Sequence, residues 1–244
     1  MGNPAGPEMT EYGLLFPKDS AWGIEVAVQQ NWSFDRPMKL AEEAEPDERT
    51  RLNNFSYNNQ FGVLSVNMAD RVTVFAGFGT LEIDMSRRPL PGNEVSYRSG
   101  RDFAWTVGGQ AVLFFVDNIS CGVSANYMTT DPNVKSLTQN GASLSTSGAR
   151  LHYTEWQVGL GVSGKFSYFL PYIGAAFASA DLRVTNPFDM TPLELQVRHE
   201  NFKSYDRGTL VLGLGFSNET VFSANIEGRL IGETALSLAF SLRF

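Results

Sequence analysis

The last eleven residues, TALSLAFSLRF, put Leu236, Leu238, Phe240, Leu242 and Phe244 on one face of a strand and Ala235, Ser237, Ala239, Ser241 and Arg243 on the other. Alternation this strict predicts a strand whose two sides meet different solvents. The pattern returns between Trp22 and Phe34. There Trp22, Ile24, Val26, Val28, Trp32 and Phe34 alternate with Gly23, Glu25, Ala27, Gln29, Asn31 and Ser33, and Gln30 is the polar exception on the apolar side. From Trp22 to Trp32 such a strand, tilted by about 40°, rises about 25 Å along a bilayer normal, the height of the apolar band of a transmembrane barrel. An ordinary core strand is only about 5–6 residues long.

The signature predicts strands near 22–34, 60–69, 71–83, 102–116, 119–128, 152–166, 171–183, 204–217, 220–230 and 234–244. Short connections at Asp70, Asp117-Asn118, Ser167 to Leu170 and Asn218-Glu219 alternate with long ones at 35–59, 84–101, 129–151 and 184–203, the tight exception being Ile231 to Glu233. This rhythm is that of an outer-membrane barrel, with turns toward the periplasm and loops toward the exterior. The expected fold is all-β: a transmembrane, antiparallel, up-and-down β-barrel of about ten strands over residues 22–244. A hairpin of Glu194 to Asn201 with 182–186 would raise the count to twelve. Residues 1–21 lack a strand-length alternation and read as a periplasmic lead or an inserted lumen segment.

Composition agrees once read through this geometry. Mean hydropathy is −0.16 and charged residues make up 18% of 244, but a barrel strand gives lipid only every second side chain. The longest uncharged stretches, Phe103 to Val116 and Phe166 to Ala180, fall short of the roughly 18 apolar residues of a spanning helix. Net charge of −7 leaves no basic footprint for nucleic acid. Cys121 is the lone cysteine, on the apolar face of its strand, so no internal disulfide forms. Met1-Gly-Asn-Pro4 has neither a basic start nor an apolar stretch, so a mature chain is expected.

If the polar faces point inward, the pore is lined by Glu25, Gln29, Asn31, Gln110, Glu155, Gln157, Lys165, Arg207, Asn225, Glu227, Arg229 and Arg243, together with Thr106, Ser124, Asn126, Gly159, Gly161 and Ser223. Strand direction sets Glu155, Arg207, Glu227 and Arg229 toward the outer mouth, and Glu25, Lys165 and Arg243 toward the periplasmic one. Gln29, Gln110, Gly159 and Asn225 form the waist. Charged rims around a neutral waist of modest side chains are expected to hold water rather than bury an ionic plug. The opposing expectation is a lumen that inward side chains fill, since ten strands close only a narrow cylinder.

Other motifs carry little chemistry. Gly159-Leu-Gly-Val-Ser-Gly164 matches a dinucleotide fingerprint by letters, but Lys165 to Pro171 cannot open the helix that fingerprint needs. His152 and His199, in the company of Asp181, Asp189 and Glu155, are the candidates for water activation, without an Asp-His pair at suggestive spacing. Glu42 to Glu48 lacks the ligand spacing of a calcium loop. No catalytic residue, cofactor or metal is expected.

Several segments resemble the major outer membrane protein family of the Chlamydiae. These are Gly2-Asn-Pro-Ala-Gly-Pro7, Phe103-Ala-Trp-Thr-Val-Gly-Gly-Gln-Ala-Val-Leu113, Tyr153-Thr-Glu-Trp-Gln-Val158, Pro171-Tyr-Ile-Gly174 and Glu227 to Phe244, in the same order. The resemblance implies a general-diffusion porin in the bacterial outer membrane, in contact with membrane lipid, passing small hydrophilic solutes and ions. It also implies exposed loops and a homotrimer. The family's cross-linking cysteines have no counterpart beyond Cys121. The competing expectation is a structural or adhesive barrel with a closed lumen and partner-binding loops.

Overall fold

In a computed structural model of the chain, the described residues are 22–42, 50–68, 71–90, 92–144, 148–185, 199–218 and 221–244. The expected lead at 1–21, most of the acidic stretch 42–48, and Asp189 therefore lie outside them. The strands in chain order are β1 (Trp22–Asp35), β2 (Met38–Leu40), β3 (Leu52–Met68), β4 (Val72–Leu90), β5 (Asn93–Ser99), β6 (Asp102–Val116), β7 (Ile119–Thr130) and β8 (Val134–Gln139). They continue with β9 (Ala142–Leu144), β10 (Arg150–Gly164), β11 (Phe169–Thr185), β12 (His199–Ser204), β13 (Gly208–Ser217), β14 (Phe222–Leu230) and β15 (Thr234–Arg243).

Ten of these close an antiparallel barrel in the order β3-β1-β15-β14-β13-β11-β10-β7-β6-β4, with β4 returning to β3. The seam joins β1 to β15, with Glu25 opposite Arg243 and Val28 opposite Phe240. The barrel strands are those the alternation predicts. Ile24, Val26, Val28, Leu236, Leu238, Phe240 and Leu242 point outward, and Glu25, Gln29, Asn31 and Ser237 point inward. Two aromatic belts bound the apolar exterior. Phe34, Phe78, Phe103, Trp105, Tyr127, Trp156 and Phe177 form the outer one, and Trp22, Phe114, Phe115, Phe166, Tyr168, Phe169 and Phe216 the periplasmic one. A surface this apolar between two aromatic rings is a lipid-facing one.

The regions expected as the loops 84–101 and 129–151 contain strands instead. Above the outer belt β4 pairs with β5, β5 with β8, and β11 with β12, which pairs in turn with β2. The β11–β12 pairing, Asp181↔Lys203 through Thr185↔His199, is the hairpin anticipated around Glu194 to Asn201, shifted toward the C-terminus. Backbone bonds from Val134 N to Ala149 O (3.1 Å) and Leu40 N to Thr50 O (2.7 Å) tie β8 to the start of β10 and β2 to β3. A second ring therefore stands on the first, made of β3, β4, β5, β8, β10, β11, β12 and β2.

The two rings share strands but have opposite solvents. On β10, Leu151 and Tyr153 point inward and are fully buried, while Trp156, Val158, Leu160 and Val162 point outward into lipid. The backbone alternation continues unbroken, so it is the apolar parity that switches, between Tyr153 and Trp156. β4 does the same, with Leu81, Ile83 and Met85 inside and Val72, Val74 and Phe78 outside. A strand that leaves the bilayer for water must move its apolar residues from the outer to the inner face, because burial now lies only inside. The collar consequently encloses an apolar core, including Met38, Phe55, Tyr97, Leu137, Leu182 and Phe202.

Candidate functional site

The lumen at membrane depth contains a cavity of about 150 Å³, enough for ~5 water molecules. Its wall combines Glu25, Gln29, Asn31, Gln110, Asn126 and Gln157 with Phe61, Val63, Phe75 and Met128. Asn31 Nδ2 donates to Asn59 Oδ1 at 2.5 Å, and Gln29 Nε2 donates to Asn31 Oδ1 at 3.1 Å, so the amides of β1 and β3 are braced toward the cavity. At the periplasmic end Glu25 faces Arg243 across the seam, and the missing side chain of Gly23 leaves room for the guanidinium, which would stand 3.0 Å from an added Cβ. Lys165 sits at that same end beside Asn118 and Ser163.

The cavity ends outward at an ionic layer beneath the collar core. Arg36 follows β1 and reaches across the lumen, where Nη2 contacts Glu155 Oε1 and Glu233 Oε2, each at 2.7 Å, and Nη1 donates to the Tyr153 hydroxyl at 2.8 Å. Tyr153 in turn donates to Glu155 Oε2 at 2.8 Å, and Tyr57 donates to Glu233 Oε1 at 3.1 Å. Arg229 Nη1 lies 3.1 Å from Glu233 Oε2, and its Nε is 3.7 Å from Glu227 Oε1. Below them the Tyr172 hydroxyl donates to Glu227 Oε2 at 3.0 Å and accepts from Asn225 Nδ2 at 3.1 Å. Two guanidinium groups thus meet three carboxylates, all almost wholly buried.

The layer bridges the lumen. Tyr57 on β3 and Tyr153 on β10 are separated by β4, β6 and β7 along one arc and by β1, β15, β14, β13 and β11 along the other, yet their ring centroids are 5.8 Å apart. Side chains from facing walls therefore touch. The turn that supplies Glu233 is tight: Ile231 and Gly232 both have positive φ (66° and 68°), and a Cβ on Gly232 would come within 2.3 Å of the Gly208 carbonyl oxygen.

Electrostatics hold Glu233 ionised. Burial alone would raise the Glu233 carboxyl, which lies in a turn outside the spanning strands, but Arg229 and Arg36 outweigh it and hold the group down from 4.5 to about 2. Burial alone would lower Arg36, and Glu155 and Glu233 reverse this and raise it well above its ordinary value. A depressed carboxyl contributes stability that is complete above its unfolded value and is lost as pH falls through the folded one. The urea midpoint of the folded barrel should therefore lose the Glu233 contribution between pH 4.5 and about 2. Glu233→Gln should flatten that limb.

These positions correct several expectations. Glu155, Glu227 and Arg229 do face the lumen, but as a buried network rather than a wet rim. Arg207 does not face it: its guanidinium is exposed and lies 5.8 Å from the ring of outward-facing Phe177, because the irregular residues before β13 break the alternation. The waist is less modest than the polar faces suggested, since Phe61, Val63 and Phe75 also point in. Arg36, Tyr57 and Glu233 had no signal in the alternation, because Arg36 and Glu233 lie between strands and Tyr57 lies above the belt. His152 is paired with Asp131 at the exposed outer surface, a partner twenty-one residues away that local spacing did not reveal.

No known family model matches the chain. It is 27% identical to the major outer membrane porin, serovar F, of Chlamydia trachomatis, over 37% of this chain and 31% of that protein. It is 23% identical to the serovar B porin of the same organism, over 58% of this chain and 52% of that one. The chain thus spans about half the length of these relatives or less. Among solved structures, an outer membrane channel from Pseudomonas putida F1 is 11% identical with a TM-score of 0.46, over 94% of this chain and 100% of that one. The outer membrane protease OmpT from Escherichia coli is 10% identical with a TM-score of 0.42, over 91% and 94%. The closed barrel with its two aromatic belts is a multi-pass protein of the bacterial outer membrane.

Proposed function

We propose that the chain forms an outer-membrane channel for small hydrophilic solutes and ions, occluded in the conformation described and conducting when the Arg36 bridge to Glu155 and Glu233 separates. The observation that carries this reading is the cavity at membrane depth, lined by charged and amide side chains among apolar ones, which runs from Glu25 to the ionic layer. Gln29, Asn31, Gln110, Gln157 and Asn225 line the path, Lys165 and Arg243 flank its periplasmic entrance, and Glu155, Glu227 and Arg229 form the constriction. Charges of both signs in so narrow a layer bind and release ions of either sign and favour neither strongly. Passive diffusion needs no catalytic group, and the naming of both relatives as porins supports the same reading.

Planar-bilayer recording tests it. The folded protein should give brief steps of small current, because the constriction is closed for most of the time. Their complete absence, from the wild type and from a variant with the layer broken, would remove the channel reading. A second reading then stands, a closed barrel whose collar presents a partner-binding surface. It is favoured by the apolar core of that collar, which fills the outer mouth above the ionic layer.

A further inference from the structure

The outer surface of the collar differs in charge from one side to the other. On the β4–β6 side, carboxylates answer the cations: Arg98 Nε is 2.6 Å from Asp84, Arg88 Nη2 is 3.0 Å from Glu94, and Arg101 Nε is 3.4 Å from Glu82. On the β10–β12 side, Arg150, Arg183 and Lys203 project outward from neighbouring strands above the belt, Lys203 at the level of Asp181, four positions beyond Phe177, and Arg150 and Arg183 each six positions beyond Trp156 and Phe177 respectively. Arg207 adds its guanidinium over the Phe177 ring. Against these, Asp181 approaches only Lys203, at 3.8 Å, and among the described residues no carboxylate reaches Arg150, Arg183 or Arg207.

We infer that this face, Arg150, Arg183, Lys203 and Arg207 above the outer aromatic belt, binds the phosphate groups of outer-leaflet lipid. Arg207 and Lys203 lie nearest the height of lipid phosphates, just beyond the ring of Trp and Tyr that marks the hydrocarbon edge, and Arg150 and Arg183 stand higher on long side chains of the kind that extend toward such an interface. The chemistry is right too, because guanidinium groups take phosphate oxygens in paired hydrogen bonds and a cluster of cations draws an anionic surface. The face is continuous with the lipid-facing exterior, so a lipid whose chains pack on Val158, Leu160 and Ile173 presents its headgroup to these cations. The inference rests on the outer-membrane location and not on the channel reading.

Native mass spectrometry of the full chain in detergent, with bisphosphorylated lipid A and with its dephosphorylated form, tests the site. The wild type should retain the phosphorylated lipid and lose the other. R183Q/K203Q should weaken retention roughly tenfold or more, and R98Q/R101Q on the opposite side should leave it unchanged. Millimolar inorganic phosphate should not displace the lipid, and displacement would assign the site to free phosphate and overturn the proposal. So would equal retention of the dephosphorylated lipid, or equal loss in the two variants. If R183Q/K203Q does not fold, R150Q/R207Q carries the same expectation. Lipid retention is read without conductance, so its failure leaves the channel reading standing.

Discussion

Arg36→Met should lower the stability of the folded barrel by about 3–5 kcal/mol, because it leaves two buried carboxylates without their shared cation. Arg36 contacts both Glu155 and Glu233 at 2.7 Å, and both carboxylates are almost wholly buried. Equilibrium urea unfolding in detergent or vesicles reads the loss. The same variant should lengthen and enlarge the current steps in a planar bilayer, since the lumen is spanned at that level by groups that Arg36 gathers. Neutralising the stranded partners as well, in Arg36→Met/Glu155→Gln/Glu233→Gln, should recover a large part of the stability, as a neutral layer has no charge left unmatched. Arg36→Lys should not recover it, because one ammonium lacks the planar fork that serves two carboxylates and a tyrosine together. An Arg36→Met barrel as stable as the wild type would show that the layer does not hold the walls together.

Val28→Arg and Gln29→Arg should separate lipid from lumen. Val28 is 53% exposed on the outer face, midway between Trp22 and Phe34 and opposite Phe240, so an arginine there stands against hydrocarbon. The cost is about 2–4 kcal/mol for a cation at the bilayer midplane. Gln29, one residue on, lines the cavity, and a cation there meets water and the Asn31 amide. Folding yield in liposomes, read by heat-modifiable migration, should fall sharply for the first variant and little for the second. Equal yields would place the faces of β1 the wrong way round.

The barrel was legible because most of its spanning strands obey one rule, apolar outward and polar inward, along most of their length. β1 and β15 state it most plainly, and their seam pairing follows the register the alternation implies. The rule failed where its physical cause changed. Leu81, Ile83 and Met85 on β4 and Leu151 and Tyr153 on β10 are apolar on the inner parity, so the alternation ended for a reader following lipid-facing residues. These strands read as ending at 83 or starting at 152, and the collar beyond read as loop. β3 hid its lumen face for a related reason. Phe61 and Val63 point in while Leu64 and Val66 point out, so both sides are apolar and the pattern does not choose. Of the site, single lumen residues were readable strand by strand. Their gathering into a closed layer was not, because Arg36 and Glu233 come from connections, and contact across the lumen depends on which walls face each other.

The seam between β1 and β15 is where the sheet closes on itself. Without the β1–β15 pairing the sheet has two raw edges, each a row of peptide groups that hydrocarbon cannot satisfy. Ring closure removes both edges at once. The same pairing sets the Glu233 turn beside Arg36, so closing the ring also completes the bolt across the mouth.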